Sequence, residues 1–201
     1  MSTPDEAVAA LGAGQTVVLP TDTVYGLCAS PYREQPVLRL YRLKGRDEQK
    51  PIALLASDLD MLFECVPELR GRAGVIARSL LPGPYTLILP NPARRYRWLT
   101  GATPEAIGVR VPVLPAPSRA VLSRVGAVAA TSANLANGHD PAAVEEVPEE
   151  IRDGAGAVID AGRLPGTPST VIDCTQSEPR VVRAGAAPPD EAIKRVRAAL
   201  A

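Results

Sequence analysis

The segment PTDTVYGL, Pro20–Leu27, places hydroxyl and carboxylate side chains directly after an apolar, β-branched run. That run, Thr16–Leu19, predicts a buried strand that stops at the proline, and we expect TDTVYG to form a loop. Ligand sites of open α/β sheets lie at such strand ends, so Thr21, Asp22 and Thr23 are candidate binding residues. The alternative is that these side chains only satisfy the hydrogen bonds of a turn.

Helical and strand patterns alternate on both sides of this segment, separated by prolines and glycines. Asp58 resembles the N-cap of one helix. The order of elements predicts an α/β fold, in which helices flank a mixed parallel and antiparallel sheet. The predicted helices cover about residues 6–13, 35–43, 59–63, 69–81, 118–124 and 190–200, and the predicted strands 16–19, 52–56, 85–89, 107–111, 127–130, 157–160, 170–173 and 181–183.

The composition predicts one domain over residues 1–201, since 46% of the side chains are hydrophobic. Lys and Arg number 22, as do Asp and Glu, so no net charge attracts the protein to nucleic acid or membranes. No apolar run nears the roughly 20 residues that span a bilayer, and no signal peptide pattern is present. We therefore expect a cytoplasmic protein without membrane contact. Three scattered cysteines and one histidine predict neither disulfides nor a protein metal site.

The segment RLYRLKGRDEQKP, Arg39–Pro51, is the most basic part of the chain. Lys44 and Arg46 flank Gly45, which allows an unusual turn that could aim both side chains at one anion, such as a polyphosphate. The alternative is the solvated basic end of a helix. Neither G-x-x-x-x-G-K-[ST] nor G-x-G-x-x-G occurs, so a nucleotide would be held by side-chain cations and hydroxyls.

A second polar turn, ATSANLANG, Ala130–Gly138, follows another predicted strand. Ser132 and Asn134 are two residues apart, so an extended backbone would point both side chains to one face. There they could hydrogen-bond a ribose, a base or a phosphate. The alternative is a turn that caps the next helix.

Arg110 lies between valines in GVRVP, Gly108–Pro112, within a strand that should be buried. Burying an unpaired arginine costs on the order of several kcal/mol, so this side chain needs an anion. The anion could be a carboxylate such as Asp173 of PSTVID, or the carboxylate of a bound ligand. The segment RVVRAG, Arg180–Gly185, similarly ends a strand with Arg183.

Taken in order, PTDTVYGL, KGR, PGPYT, GVRVP, TSAN, PSTVID and VVRAG resemble the YrdC-like family of threonylcarbamoyl-AMP synthases, over about residues 14–185. The resemblance implies a twisted sheet with a concave, positively charged cavity. It also implies a nucleotidyltransferase of the short, single-domain type. Such an enzyme joins L-threonine, bicarbonate and ATP, with Mg²⁺, to give threonylcarbamoyl-AMP and pyrophosphate. The product is passed to partner proteins that modify adenosine 37 of tRNA.

The same resemblance implies the site residues. The catalytic residues would be Lys44, Arg46, Ser132 and Asn134. ATP would be bound by these four and by Lys50 and Arg183. L-threonine would be bound by Thr23, Arg110 and Ser169. No protein metal ligand is implied, and Mg²⁺ would arrive with ATP. One departure is Leu55, which stands where many family members have a histidine that lines the threonine pocket.

Two other functions compete with this one. The first is a non-enzymatic module that binds tRNA or double-stranded RNA, for which RRYRW, Arg94–Trp98, is the one local basic and aromatic candidate. Zero net charge and 3% aromatic residues do not favour it. The second is a paralogue that handles a different amino acid or acts on the adenylate, which Leu55 would favour.

Overall fold

A nine-stranded mixed sheet forms the centre of the protein, seen in a computed structural model that describes residues 1–201. The strands are β1 Val17–Pro20, β2 Tyr25–Ala29, β3 Ala53–Ala56, β4 Tyr85–Pro90, β5 Ala106–Arg110, β6 Ala127–Ser132, β7 Ala157–Val158, β8 Thr170–Asp173 and β9 Arg180–Arg183. The helices are α1 Pro4–Gly12, α2 Glu34–Lys44, α3 Leu59–Cys65, α4 Gly71–Leu80, α5 Ala116–Val125, α6 Glu149–Gly154 and α7 Pro189–Leu200.

The strands follow the spatial order β7-β1-β2-β6-β3-β5-β4-β8-β9. Three neighbouring pairs are parallel, namely β1 with β7, β3 with β5 and β4 with β8. The other five pairs are antiparallel. Sequence neighbours such as β2 and β3 are separated by β6, so the centre of the sheet depends on long-range pairing.

The two faces of the sheet are covered to different extents. On one face, α2, α3, α4, α6 and α7 contribute to a hydrophobic cluster of 36 buried residues. On the other face, α1 and α5 contribute to a smaller cluster of 13 buried residues, which includes Leu55 and Ala130. Because side chains alternate along a strand, these two residues point away from the larger cluster. The part of their face that α1 and α5 do not cover is concave and open.

Local sequence signals set the ends of two helices of the larger cluster. Asp58 caps α3 as predicted, because its Oδ1 accepts a hydrogen bond from the backbone N–H of Met61 at 2.8 Å. Helix α2 ends at Gly45, whose φ of 64° is a left-handed conformation that glycine adopts without strain. This turn sends the chain in a new direction between Lys44 and Arg46.

The predicted α/β class, with a mixed sheet flanked by helices, is confirmed. The predicted loop over TDTVYG is wrong at its last two residues, because Tyr25–Ala29 forms β2 and Tyr25 pairs with Pro20 of β1. The glycine and the small residues of this strand have low strand propensity, so its sequence does not predict a strand. Pairing with its neighbours β1 and β6 stabilises it. Helix α6 is absent from the predicted elements. No helix is both long and apolar enough to cross a membrane.

Candidate functional site

The open part of the sheet forms a cavity of about 310 Å³. Its floor consists of alternate residues of six strands, because every second side chain of a strand points to the same face. These floor residues are Gly26, Ala53, Leu55, Thr86, Ile88, Gly108, Arg110, Ala130, Ser132 and Val171. The walls come from loops at the strand ends and include Thr23, Thr103 and Ser169.

The turn after β1 uses its polar side chains in two ways. Thr21 Oγ1 donates to the carbonyl oxygen of Val24 at 2.7 Å and accepts from the backbone N–H groups of Thr23 and Val24. Thr21 therefore stabilises the turn. The hydroxyl of Thr23 lies 3.0 Å from that of Thr21, and the buried Thr23 side chain also lines the cavity.

Arg110 is 9% exposed, and Asp22 balances its charge. Arg110 Nη2 donates to Asp22 Oδ1 at 2.8 Å and lies 3.4 Å from Thr23 Oγ1, while Asp22 Oδ2 accepts from the backbone N–H of Val113. Burial lowers the pKa of Arg110 and raises the pKa of Asp22, and the attraction between the two charges opposes both shifts. Arg110 Nε is buried without a partner. The guanidinium thus retains hydrogen-bonding capacity that the protein does not use.

Asp173, the example given for a structural partner of Arg110, does not contact it. Asp173 is level with Ile88 of β4 and Gly108 of β5, so it lies two strands away from Arg110 and at a different height in the sheet. It instead forms an ion pair with Arg180 at 3.2 Å. Asp22 reaches Arg110 from the turn between β1 and β2, and Thr23 of the same turn also lies beside this guanidinium.

Lys44 and Arg46 diverge on either side of Gly45. Arg46 lines the cavity, donates to the carbonyl oxygen of Pro51 at 3.0 Å and forms no ion pair with a carboxylate. Lys44 is buried, and its ammonium group points towards the turn after β6. The two side chains therefore do not converge on one anion as expected. Lys50 is exposed and lies outside the cavity lining.

Lys44 holds the turn after β6 through three hydrogen bonds. Its Nζ donates to the carbonyl oxygens of Ser132 at 2.6 Å and Asn134 at 2.7 Å, and to Asn134 Oδ1. Ser132 Oγ donates to the same Oδ1 at 2.8 Å, so these two side chains meet, as their spacing predicts. No helix begins directly after the turn, which excludes the capping alternative. Burial, followed by repulsion from Arg46, lowers the pKa of Lys44 to about 8.

Arg183 closes the opposite side of the cavity. Its Nη2 and Nε donate to the carbonyl oxygen of Ser169 at 2.8 and 3.2 Å. The hydroxyl of Ser169 in turn lies 2.7 Å from that of Thr86 on β4. Burial lowers the pKa of Arg183, and the nearby carboxylate of Asp140 opposes this shift. These contacts fix a cation and two hydroxyl groups at one wall.

The structure brings most of the predicted site residues to one cavity. Those that line it are Thr23, Arg46, Arg110, Ser132, Ser169 and Arg183. Lys44 and Asn134 lie directly behind Ser132, and only Lys50 is remote from the lining. The functional roles of all nine residues stay predictions.

Sequence patterns do not single out four polar residues of the cavity, namely Thr86, Thr103, Thr131 and Asp140. Thr86 has a weak signal, because it alternates with the buried Tyr85 and Leu87 in β4. Asp140 lies in an irregular loop and has no such signal, yet it is the only carboxylate in the lining. No group of three or more His, Cys, Asp or Glu side chains is close enough to hold a metal ion.

The predicted RNA-binding candidate, Arg94–Trp98, does not form a free basic and aromatic surface. Arg94 pairs with Glu105 at 3.1 Å, and Arg95 pairs with Glu68 at 2.7 Å. Trp98 donates from Nε1 to a backbone carbonyl at 2.8 Å and packs edge-to-face with the neighbouring tyrosine. Two of its three arginines are thus paired, while Arg97 is exposed without an ion pair, and its aromatic rings are engaged within the protein.

Comparison with known proteins gives a family match over most of the chain. Residues 9–185 match the model of the Sua5/YciO/YrdC family, which carries the description telomere recombination. The chain is 32% identical over 182 residues to the threonylcarbamoyl-AMP synthase of Pyrococcus abyssi. This alignment covers 90% of the chain and 53% of the relative, so the chain spans about half of that protein's length.

Two solved structures share the fold. The P. abyssi Sua5 protein in complex with L-threonine is 32% identical, with a TM-score of 0.84, and the match covers 96% of this chain and 56% of that chain. The E. coli YciO protein is 28% identical, with a TM-score of 0.78, and the match covers 92% of this chain and 90% of that chain. On this evidence of sequence and fold, the chain belongs to the Sua5/YciO/YrdC family.

Proposed function

We propose that this protein is a nucleotidyltransferase that forms L-threonylcarbamoyl-AMP and pyrophosphate from L-threonine, bicarbonate and ATP. The observation that carries the proposal is that Arg46, Arg110 and Arg183 converge on one cavity whose lining contains a single carboxylate. All three substrates carry a carboxylate, carbonate or phosphate group. A concave cluster of fixed cations is the arrangement that collects mutually repelling anions. The family membership and the L-threonine bound to P. abyssi Sua5 support the same activity.

The threonine subsite would lie at Arg110. Asp22 orients this guanidinium through Nη2, and Nη1 makes no hydrogen bond within the protein, so Nη1 can bind the amino-acid carboxylate. The hydroxyls of Thr23 and Ser169 line the same cavity and can bind the ammonium group or the side-chain hydroxyl. Leu55 would form the apolar floor beside them.

The nucleotide subsite would lie between Arg46, Ser132 and Arg183. Arg46 and Arg183 have no carboxylate partner, so both can bind phosphate oxygens, and Ser132 can add a hydroxyl. Lys44 and Asn134 would act from behind by holding the Ser132 turn in place. Lys50 would contribute only if its exposed side chain folds over the mouth of the cavity.

Catalysis would depend mainly on how the cavity positions the three reactants. The threonine amine and bicarbonate give a carbamate and water, and a carbamate oxygen then attacks the α-phosphorus of ATP while pyrophosphate leaves. No protein nucleophile is needed. Alignment of the reactants can contribute roughly 7–11 kcal/mol to lowering the barrier. Fixed arginines also stabilise the charge that develops on the phosphates.

Mg²⁺ is expected to accompany ATP, and its chemistry would be to neutralise the leaving pyrophosphate. Mg²⁺ in ATP sites is commonly held by one or two carboxylates together with phosphate oxygens. The cavity fits this pattern, because it contains one carboxylate, that of Asp140, near the proposed phosphate subsite.

The proposal is tested by incubating the protein with ATP, labelled bicarbonate and a panel of amino acids. We expect pyrophosphate and an adenylate of the mass of threonylcarbamoyl-AMP, formed with threonine. Arg46→Ala should lower turnover by about 100-fold or more, since it removes a donor to the transition state. Arg39→Ala, at an exposed position of α2 outside the cavity lining, is the matched control. Full activity in the Arg46 variant would refute its role, and absence of any adenylate would refute the proposed function.

A related activity on a different amino acid is the second candidate, and Leu55 favours it. This residue lies on the cavity floor and offers no polar contact to a substrate hydroxyl. In the same panel, equal or faster adenylate formation with valine or another apolar amino acid would support this candidate over threonine. An RNA-binding role has less support, because two of the three arginines of its candidate surface are paired.

A further inference from the structure

The carboxylate of Asp140 stands out among the charges of the cavity. Three arginines and one aspartate line it, and Asp22 already balances Arg110. No side-chain nitrogen of Arg46 or Arg183 lies within 4.0 Å of the Asp140 carboxylate oxygens, so Asp140 forms no ion pair. A half-buried carboxylate beside a proposed triphosphate site is unfavourable unless something separates the two negative groups.

The position of Asp140 is fixed by the turn that carries Ser132. Asn134 Nδ2 donates to Asp140 Oδ1 at 3.3 Å, and the same amide side chain is held by Lys44 and Ser132. Asp140 Oδ2 receives no hydrogen bond from the protein. The carboxylate is also close enough to Arg183 and Lys44 to oppose the lowering of their pKa values by burial. One of its oxygens therefore remains available between these groups.

We propose that Asp140 is the protein ligand of the Mg²⁺ that enters with ATP, an inference that rests on the proposed function. Mg²⁺ prefers oxygen ligands and pairs a protein carboxylate with phosphate oxygens and water. A cation between Asp140 and the phosphates converts their repulsion into attraction. Arg46 and Arg183 can then bind the phosphate oxygens that face away from the metal. This arrangement explains why a cationic cavity contains one unpaired carboxylate.

The test measures binding of the non-hydrolysable analogue α,β-methylene-ATP by calorimetry, with Mg²⁺ and with EDTA. For the unmodified protein, Mg²⁺ should tighten binding. Asp140→Asn should weaken binding with Mg²⁺ and tighten it with EDTA, because the variant loses both a metal ligand and a repelling charge. We expect the ratio of the two affinities to fall by on the order of tenfold or more.

The controls separate this role from general charge and folding effects. Asp47→Asn removes an exposed carboxylate near Arg46 that does not line the cavity, so the affinity ratio should not change. Asp140→Glu keeps a carboxylate and should retain more of the Mg²⁺ enhancement than Asp140→Asn, even if both variants are less stable. With Mn²⁺ in place of Mg²⁺, the paramagnetic resonance spectrum of the ternary complex should differ between the unmodified protein and Asp140→Asn.

Three results would contradict these expectations. If Asp140→Asn changes binding with Mg²⁺ and with EDTA by the same factor, Asp140 is not a metal ligand, and the inference is overturned while the proposed function stands. If the variant binds the analogue more tightly under both conditions, the carboxylate only repels the nucleotide, with the same consequence. If the unmodified protein does not bind the analogue even with Mg²⁺, both the inference and the proposed function fail.

Discussion

Single residues in this protein act through the partners that fix them. Arg110 can serve a ligand because Asp22 orients its guanidinium, and Ser132 faces the cavity because Lys44 holds the turn that carries it. In both cases the supporting residue comes from a distant part of the sequence. Substitution of the supporting residue should therefore change stability or pH dependence in a way that a direct ligand contact would not.

Asp22→Ala should destabilise the fold strongly. The substitution leaves the buried Arg110 without its carboxylate, and removing one partner of a buried ion pair costs about 3–5 kcal/mol. The free energy of unfolding in urea measures the loss. Asp5→Ala breaks the exposed pair with Arg124 and should have little effect. Equal small effects in both variants would show that Arg110 does not depend on Asp22.

Lys44 should give the activity an alkaline limit. Burial lowers its pKa to about 8, so the side chain is charged below that pH and loses a proton above it. A neutral amine has two N–H donors for the three acceptor oxygens that now bind Nζ, so the Ser132 turn should loosen. We expect kcat/KM, measured at constant bicarbonate, to fall as pH rises through about 8.

The matched variant for this prediction is Lys44→Arg. A guanidinium stays charged over the whole accessible range, so any activity that remains should lack the alkaline limit. If the fall near pH 8 persists unchanged in this variant, a group other than Lys44 is responsible.

At the scale of elements, the wall of the cavity depends on a close backbone approach between β9 and the start of β8. A Cβ added to Gly185 would lie 2.3 Å from the carbonyl oxygen of Pro168 and 2.5 Å from the carbonyl carbon of Ser169. The backbone N–H of Gly185 also donates to Thr170 Oγ1 at 3.0 Å. This packing holds Arg183 against Ser169.

Gly185→Ala should therefore displace both of these residues. We expect a loss of roughly 1–3 kcal/mol in stability, because the added methyl group meets backbone atoms that cannot move freely. Binding of α,β-methylene-ATP should weaken in the same variant. Gly12→Ala, where a Cβ meets no atom within 4 Å, is the control for thermal unfolding and binding. Unchanged nucleotide binding in Gly185→Ala would show that the β8–β9 approach does not position Arg183.

At the scale of the whole molecule, charge is distributed locally and not globally. The formal net charge is zero, yet three arginines face one cavity. Basic residues elsewhere, such as Arg94 and Arg95, are balanced by acidic neighbours. The protein should therefore attract small anions into the cavity without attracting long polyanions to its surface.

We expect no gel shift of a 20-base-pair RNA duplex at about 0.15 M salt, a concentration at which nonspecific phosphate contacts are strongly weakened. ATP binding under the same conditions should persist, because charges in a cavity are screened less than exposed ones. A salt-sensitive RNA shift that ATP competes away would instead place RNA in the cavity and support the alternative function.

Much of the fold can be predicted from the sequence because its signals are local. Apolar runs such as Tyr85–Leu89, the cap at Asp58 and the glycine that ends α2 each depend on a few neighbouring residues. The strand Tyr25–Ala29 could not be predicted in this way, because pairing with β1 and β6 compensates for its small residues. Most of the candidate cavity residues could also be predicted, because the end of a strand and the alternation of side chains along it are local features of the sequence.

Local sequence patterns are enough to predict most of the elements, though not β2 and α6, together with the α/β class and the polar segments that end the strands. Three contacts become visible only in the folded chain: Asp22 and not Asp173 pairs with Arg110, Lys44 turns away from Arg46, and Asp140 enters the cavity. These contacts depend on the order of strands in the sheet and on the direction of each side chain. Both are set by packing between distant segments, which local periodicity and spacing do not record.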